Sequence, residues 1–138
     1  GLTIITNSLP VLNTLSGIKD ITVIALGGIL RESELSFIGH ITEQALGEIR
    51  VDMVIIGIHA IHLEHGLTND YLPETMTDRA ILKAGKEVVV VADHTKINIV
   101  STAFLAPVNC LQKLITDKGT SSEFIASVEN LGIEVVVA

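Results

Sequence analysis

Apolar residues gather in short runs along the chain, at positions 2–6, 21–26, 53–58, 88–92, 114–116 and 133–137. Several runs are continuous instead of alternating, the pattern of strands covered on both faces. Between them, segments near 8–15, 41–49, 73–84 and 121–131 carry apolar positions at helical spacing. The alternation predicts an α/β fold with a mostly parallel sheet, helices on both faces and right-handed crossovers. Pro73 suits the first turn of its helix, with Met76, Ala80, Ile81 and Ala84 as the expected apolar face and Gly85 as the stop. Ser121 or Ser122 is expected to cap the last helix, Ile125, Val128 and Leu131 to face the core, and Gly132 to end it. Residues 59–72 read as one long irregular stretch, the kind of segment that often carries function in a compact domain.

Composition narrows the functional classes. A length of 138 residues suits one domain folding as one unit, with a core large enough to need no metal or disulfide. Apolar residues make up 48% and aromatics only 3%, which favours an aliphatic core over an aromatic platform for stacked bases. The net charge is −7 and no two of the nine Lys and Arg are adjacent, so DNA binding by this chain alone is not expected. The lone Cys110 excludes an internal disulfide and fits a small core residue in a reducing compartment. No apolar run approaches the ~20 residues that span a bilayer, and no cationic leader precedes an apolar segment. A cytoplasmic location without a membrane partner is expected. The chain starts directly in strand-like sequence, as expected of a domain cut from a longer one.

Candidate chemistry clusters where strands end. Residues 90–96 read Val-Val-Ala-Asp-His-Thr-Lys, and ligands of parallel α/β sheets bind beyond the carboxyl ends of strands. Lys96 can attract an anion as a point charge, while Asp93 can accept hydrogen bonds from hydroxyls. The bland alternative is a strand-end turn with a surface lysine. Gly66-Leu67-Thr68-Asn69 forms a second candidate edge, and Gly27-Gly28 with Arg31 a third, where glycine permits close backbone approach and arginine binds an anion. Neither the dinucleotide-binding glycine fingerprint nor a Walker loop is present, so a simple turn competes with that reading. Thr6-Asn7-Ser8 suits a helix cap, a polar strand-end contact, or both. Glu74 begins a helix, where a carboxylate is favoured electrostatically, and can also point into a cleft. His59, His62, His65 and His94 invite a zinc hypothesis, but their segment is not a convincing helix, and no metal or cofactor is assigned.

The ordered set Thr6-Asn7-Ser8, Leu26-Gly27-Gly28 with Arg31, Val51-Asp52 with Ile55-Ile56-Gly57, His65-Gly66-Leu67-Thr68, Glu74, Arg79 and Ala92-Asp93-His94-Thr95-Lys96 resembles the C-terminal effector domain of DeoR-family transcriptional regulators. Leu114-Ile115-Thr116-Asp117 and Gly132-Ile133-Glu134-Val135 continue the match, which covers nearly the whole chain. The resemblance implies an N-terminally truncated fold similar to ribose-5-phosphate isomerase and glucosamine-6-phosphate deaminase, used as a sugar-phosphate sensor. It also implies that a winged helix-turn-helix, then a strand with a phosphate loop, would precede Leu2 in a full-length relative.

On that reading residues 1–138 are the effector-binding domain of a regulator of sugar metabolism, expected to be a repressor. Lys96 and Arg31 would take anionic groups, Asp93 and Glu74 hydroxyls, and Thr6, Asn7, Gly28, Thr68 and Asn69 the pocket wall. No catalytic residue is assigned. The expected partners are a phosphorylated sugar, DNA through the absent N-terminal domain alone, and a second copy of the chain. Two positions depart from the family: Asp78 stands beside Arg79 where a basic residue is common, and Asn98 where glycine is frequent. Rival readings are a sugar-phosphate isomerase-like enzyme and a pure assembly module, since one scaffold hosts both catalysis and sensing.

Overall fold

Thr6-Asn7-Ser8 serves as both a helix cap and a strand-end contact. Strand β1 (Leu2–Thr6) ends there, and helix α1 (Leu9–Leu15) begins with Ser8 accepting a hydrogen bond from Val11 N at 3.4 Å and with proline in its first turn. β2 (Ile21–Ala25) returns parallel to β1, with Thr6 opposite Ala25. A short antiparallel pair, β3 (Ile29–Arg31) and β4 (Ser36–Ile38), precedes α2 (His40–Gly47). The computed structural model describes all residues 1–138 and divides them into two compact units, Gly1–Ile49 and Arg50–Ala138, where length and composition predicted one.

The second unit is built on a four-stranded parallel sheet. β5 (Val51–Gly57) is followed by β6 (Ala60–His62), β7 (Gly66–Asn69), α3 (Leu72–Ala84) and β8 (Gly85–Val91). Then come β9 (Ala103–Ala106), β10 (Lys113–Thr116), α4 (Ser122–Asn130) and β11 (Glu134–Val137). The parallel sheet runs β11-β10-β8-β5, and a separate antiparallel sheet runs β6-β7-β9. This is the α/β architecture with a mostly parallel sheet that the alternating runs predicted.

Burial corrects several details. Val88, Val89 and Val90 are consecutive and all buried, so β8 is covered on both faces as its unbroken run predicted. β5 is equally apolar, yet Val54 and Ile56 are buried while Met53 and Ile55 are 45% and 68% exposed. One face of β5 is covered and the other open, and an all-apolar run carries no mark of which face that is. The stretch 59–72 is not irregular: β6 and β7 pair antiparallel with Ala60 opposite Thr68, and β7 pairs onward with β9. Strands of three or four residues are too short to show a period in the sequence.

Helix faces differ from expectation in the same way. α3 starts at Leu72 and stops at Gly85, but Met76 is 50% exposed, and Thr75 and Thr77 are fully buried with Ala84. Their hydroxyls donate back to the carbonyls of Tyr71 and Pro73, which satisfies them inside the helix and lets threonine take core positions. In α4, Ser121 is the cap and Val128 faces the core as predicted, whereas Leu131 is 50% exposed and Phe124 fills the core instead. Gly132 ends the helix with φ +83°, a conformation that favours glycine.

Candidate functional site

Strand register sets the geometry of the site. Gly57 of β5, Val91 of β8 and Ile115 of β10 lie in one row across the parallel sheet, so the residues that follow each strand emerge along a common edge. His59, Asp93 and Asp117 are among them. This is the carboxyl edge, where an open α/β sheet binds its ligands.

Beyond β8 the chain closes at once into a single 3-10 turn, His94–Lys96. Asp93 caps it: Oδ1 accepts from Thr95 N at 2.8 Å and from the Thr95 hydroxyl. Those two bonds, with Lys96 nearby, hold the Asp93 carboxyl below its ordinary range. The second carboxylate oxygen makes no hydrogen bond within the chain. Lys96 is half-buried and its ammonium has no ion-pair partner within the chain. A cation and a partly committed carboxylate thus share one turn at the sheet edge, suited to an anionic group and a hydroxyl on one small ligand.

The turn leads directly into the β6–β7 layer. Ile97 bridges Ile61 of β6, and Ser101 N donates to Thr68 Oγ1 at 2.8 Å. Thr68 and Asn69 are 3% and 1% exposed. Asn69 Oδ1 accepts from His59 N at 3.3 Å, and its Nδ2 donates to Asp78 Oδ2 at 2.8 Å. These two residues brace the segments around the turn. Asp78, which the resemblance marked as a departure, accepts that bond from Asn69. Glu74 stands half-buried in the first turn of α3, and neighbouring Arg79 donates through Nη2 to Phe104 O.

In the first unit the expected residues have mostly architectural partners. Thr6 Oγ1 accepts from Ser8 N at 3.0 Å, while Asn7 exchanges two hydrogen bonds with Phe37, Nδ2 to Phe37 O and Phe37 N to Asn7 O. Gly28 is required by packing, since a Cβ there would stand 2.1 Å from Thr42 Oγ1 and 2.7 Å from Ile38 O. Arg31 closes β3 opposite Ser36. Two open clefts in the second unit, one around His65, Gly66 and Phe104 and the other between Arg79, Lys86 and Gln112, contain none of the residues expected to bind the effector. The sheet edge is the better site because it gathers the uncommitted polar groups.

The histidines have separate partners. His62 Nδ1 accepts from the backbone of Glu64 and His65, His59 lies 3.4 Å from Asp70, and no three His, Cys, Asp or Glu side chains gather to hold an ion. His94 has a partner that reading along the chain missed: its Nδ1 lies 2.9 and 3.1 Å from the two carboxylate oxygens of Asp117. The two residues are 23 positions apart, and only the parallel pairing of β8 with β10 makes them neighbours.

No helix is long and apolar enough to cross a membrane. Among known proteins, the glycerol-3-phosphate regulon repressor of Escherichia coli K12 is 32% identical over 116 residues, covering 84% of this chain and 46% of that protein. The transcriptional repressor GlcR of Bacillus subtilis 168 is 31% identical over 135 residues, covering 98% and 52%. The repressor AccR of Agrobacterium fabrum C58 is 30% identical over 138 residues, covering 99% and 54%. The chain therefore spans about half the length of these relatives. The family model of the DeoR C terminal sensor domain, a sugar-phosphate isomerase-like fold, matches residues 1–118, so the chain belongs to the DeoR C-terminal sensor domain family.

Proposed function

We infer that this chain is the ligand-sensing part of a longer transcriptional repressor, and that its effector is a phosphorylated sugar held at the Asp93–Lys96 turn. The observation that carries this is the pairing, on one exposed turn at the carboxyl edge, of a half-buried lysine without an ion-pair partner and a carboxylate with one uncommitted oxygen. Lys96 takes the phosphate or another anionic group, and Asp93 accepts a sugar hydroxyl. Glu74 supplies a second hydroxyl acceptor, and Thr68 and Asn69 stiffen the wall. Arg31, Gly28, Thr6 and Asn7, all in the first unit, are proposed as effector-facing on family resemblance alone. That one relative is a glycerol-3-phosphate regulon repressor favours a small phosphorylated polyol or sugar.

Switching requires the effector to bind the DNA-competent and DNA-incompetent arrangements unequally; equal affinity for both moves nothing. The DNA reader belongs to the part of the longer protein outside these residues, and the acidic sensor repels the phosphate backbone by itself. The repressor works in the cytoplasm as a homo-oligomer, two-fold symmetry matching paired half-sites. Repressor relatives and a sensor-domain family stand against the isomerase reading. Calorimetry of the full-length repressor against a panel of triose, pentose and hexose phosphates tests the assignment, together with operator binding at each effector concentration. One panel member should bind and change operator affinity. Binding of none, or turnover of one into its isomer, overturns the reading.

A further inference from the structure

The Asp93–Lys96 turn is attached to the rest of the sheet edge by an imidazole. His94 Nδ1 reaches both oxygens of Asp117, which follows β10, and Asp117 Oδ1 also accepts from Gly119 N at 3.0 Å. The ring lies against the Gly119 backbone so closely that a Cβ on that residue would stand 2.6 Å from its Cγ and Nδ1. One carboxylate thereby grips the side chain of one turn and the backbone of the next, while a glycine makes room for the ring. Charges facing the imidazole are Asp117 from the β10–α4 turn and Asp93 on its own turn, and both favour its protonated form.

We propose that His94 is a positioning residue for effector binding: clamped between Asp117 and Gly119, it holds the turn carrying Asp93 and Lys96 in the conformation that receives the ligand. The effector half rests on the function proposed above, whereas the clamp itself stands on geometry alone. The 3-10 turn is shaped by local hydrogen bonds alone: Lys96 N to Asp93 O, Ile97 N to His94 O, and the two that Asp93 Oδ1 accepts from Thr95. Those bonds do not tie the turn to the neighbouring β10–α4 turn, and the clamp supplies that anchor one residue from Thr95 and two from Lys96. Binding the effector and ordering the β10–α4 turn are coupled through the same contact.

Three single variants of the intact chain test this: His94→Ala, Asp117→Asn and Gly119→Ala. The last keeps both functional groups and displaces the ring sterically. Amide hydrogen exchange without ligand should show lost protection at Thr95, Lys96 and Ile97 in all three, with the protection of β8 and β10 retained. Sugar-phosphate affinity, measured on the full-length repressor with the panel member that binds wild type, should fall by about tenfold as pre-organisation is lost. NMR titration adds a readout that simple packing would not move. The amides of Thr95, Lys96 and Gly119 should titrate together with the His94 ring, and the shared midpoint should fall in Asp117→Asn. Unchanged protection in His94→Ala and Gly119→Ala overturns the clamp, and lost protection with unchanged affinity overturns its positioning role. If wild type binds no panel member the effector reading fails, and exchange alone then decides the clamp.

Discussion

Asn69 and Asp78 are joined by a 2.8 Å hydrogen bond from Nδ2 to Oδ2, and Asn69 uses its other amide atom, Oδ1, to hold His59 N. A 99% buried asparagine is tolerable only when both ends of its amide are satisfied. Asn69→Ala leaves the Asp78 carboxylate and the His59 amide without these partners, and should destabilise the fold by ~1–3 kcal/mol. Urea or thermal unfolding measures it; a loss of less than half a kilocalorie would show that Asn69 is not a brace.

Gly28→Ala places a methyl where Thr42 Oγ1 and the Ile38 carbonyl already stand, and the expected loss is ~1–3 kcal/mol of stability from overpacking. Adding Thr42→Ala does not rescue it. The Ile38 carbonyl remains 2.7 Å away, and Gly27 O loses the 2.6 Å hydrogen bond from Thr42. Full rescue in the double variant, by thermal unfolding, would mean the carbonyl moves freely.

Lys96→Met keeps much of the apolar stem and removes the charge. Sugar-phosphate affinity in the full-length repressor should fall by ~1.5–3 kcal/mol if a charge-assisted hydrogen bond is lost, roughly ten- to 150-fold. Folding should change little, because no ion pair within the chain depends on the ammonium. Calorimetry alongside thermal unfolding separates the two effects, and unchanged affinity in a folded variant removes Lys96 from the site.

The His94–Asp117 pair should leave a pH signature on stability. The hydrogen bond to Asp117, and then its charge, raises the imidazole above its ordinary 6.5, so its contribution is complete below that value and lost as pH climbs through the raised one. Asp117 is lowered from 3.8, first by the bond from His94, so its contribution is complete above 3.8 and lost as pH falls through the lowered value. The difference in melting temperature between wild type and Asp117→Asn should therefore be largest between pH 3.8 and 6.5. It should narrow on both sides, and a flat difference from pH 3 to 9 would show that the pair carries no stability. The effect is small at any pH, since the side chains are 52% and 40% exposed.

What the sequence determined by itself was set by local rules: the alternation of strands and helices, the caps at Ser8 and Ser121, the stops at Gly85 and Gly132, and the polar turn after β8. Each depends on residues within a few positions of one another, so hydrophobic runs, capping hydroxyls and glycines betray them directly. Tertiary structure decided what depends on partners far along the chain. It chose which face of β5 is covered, buried Thr75 and Thr77 while exposing Met76, and folded residues 60–69 into a hairpin braced by Ser101 and Asp78. It also committed Asp78 to Asn69, left the Lys96 ammonium without an ion pair, and set His94 on Asp117. The physical reason is that burial and hydrogen-bond partnership are properties of pairs, and strand register, which no single segment encodes, brings those pairs together.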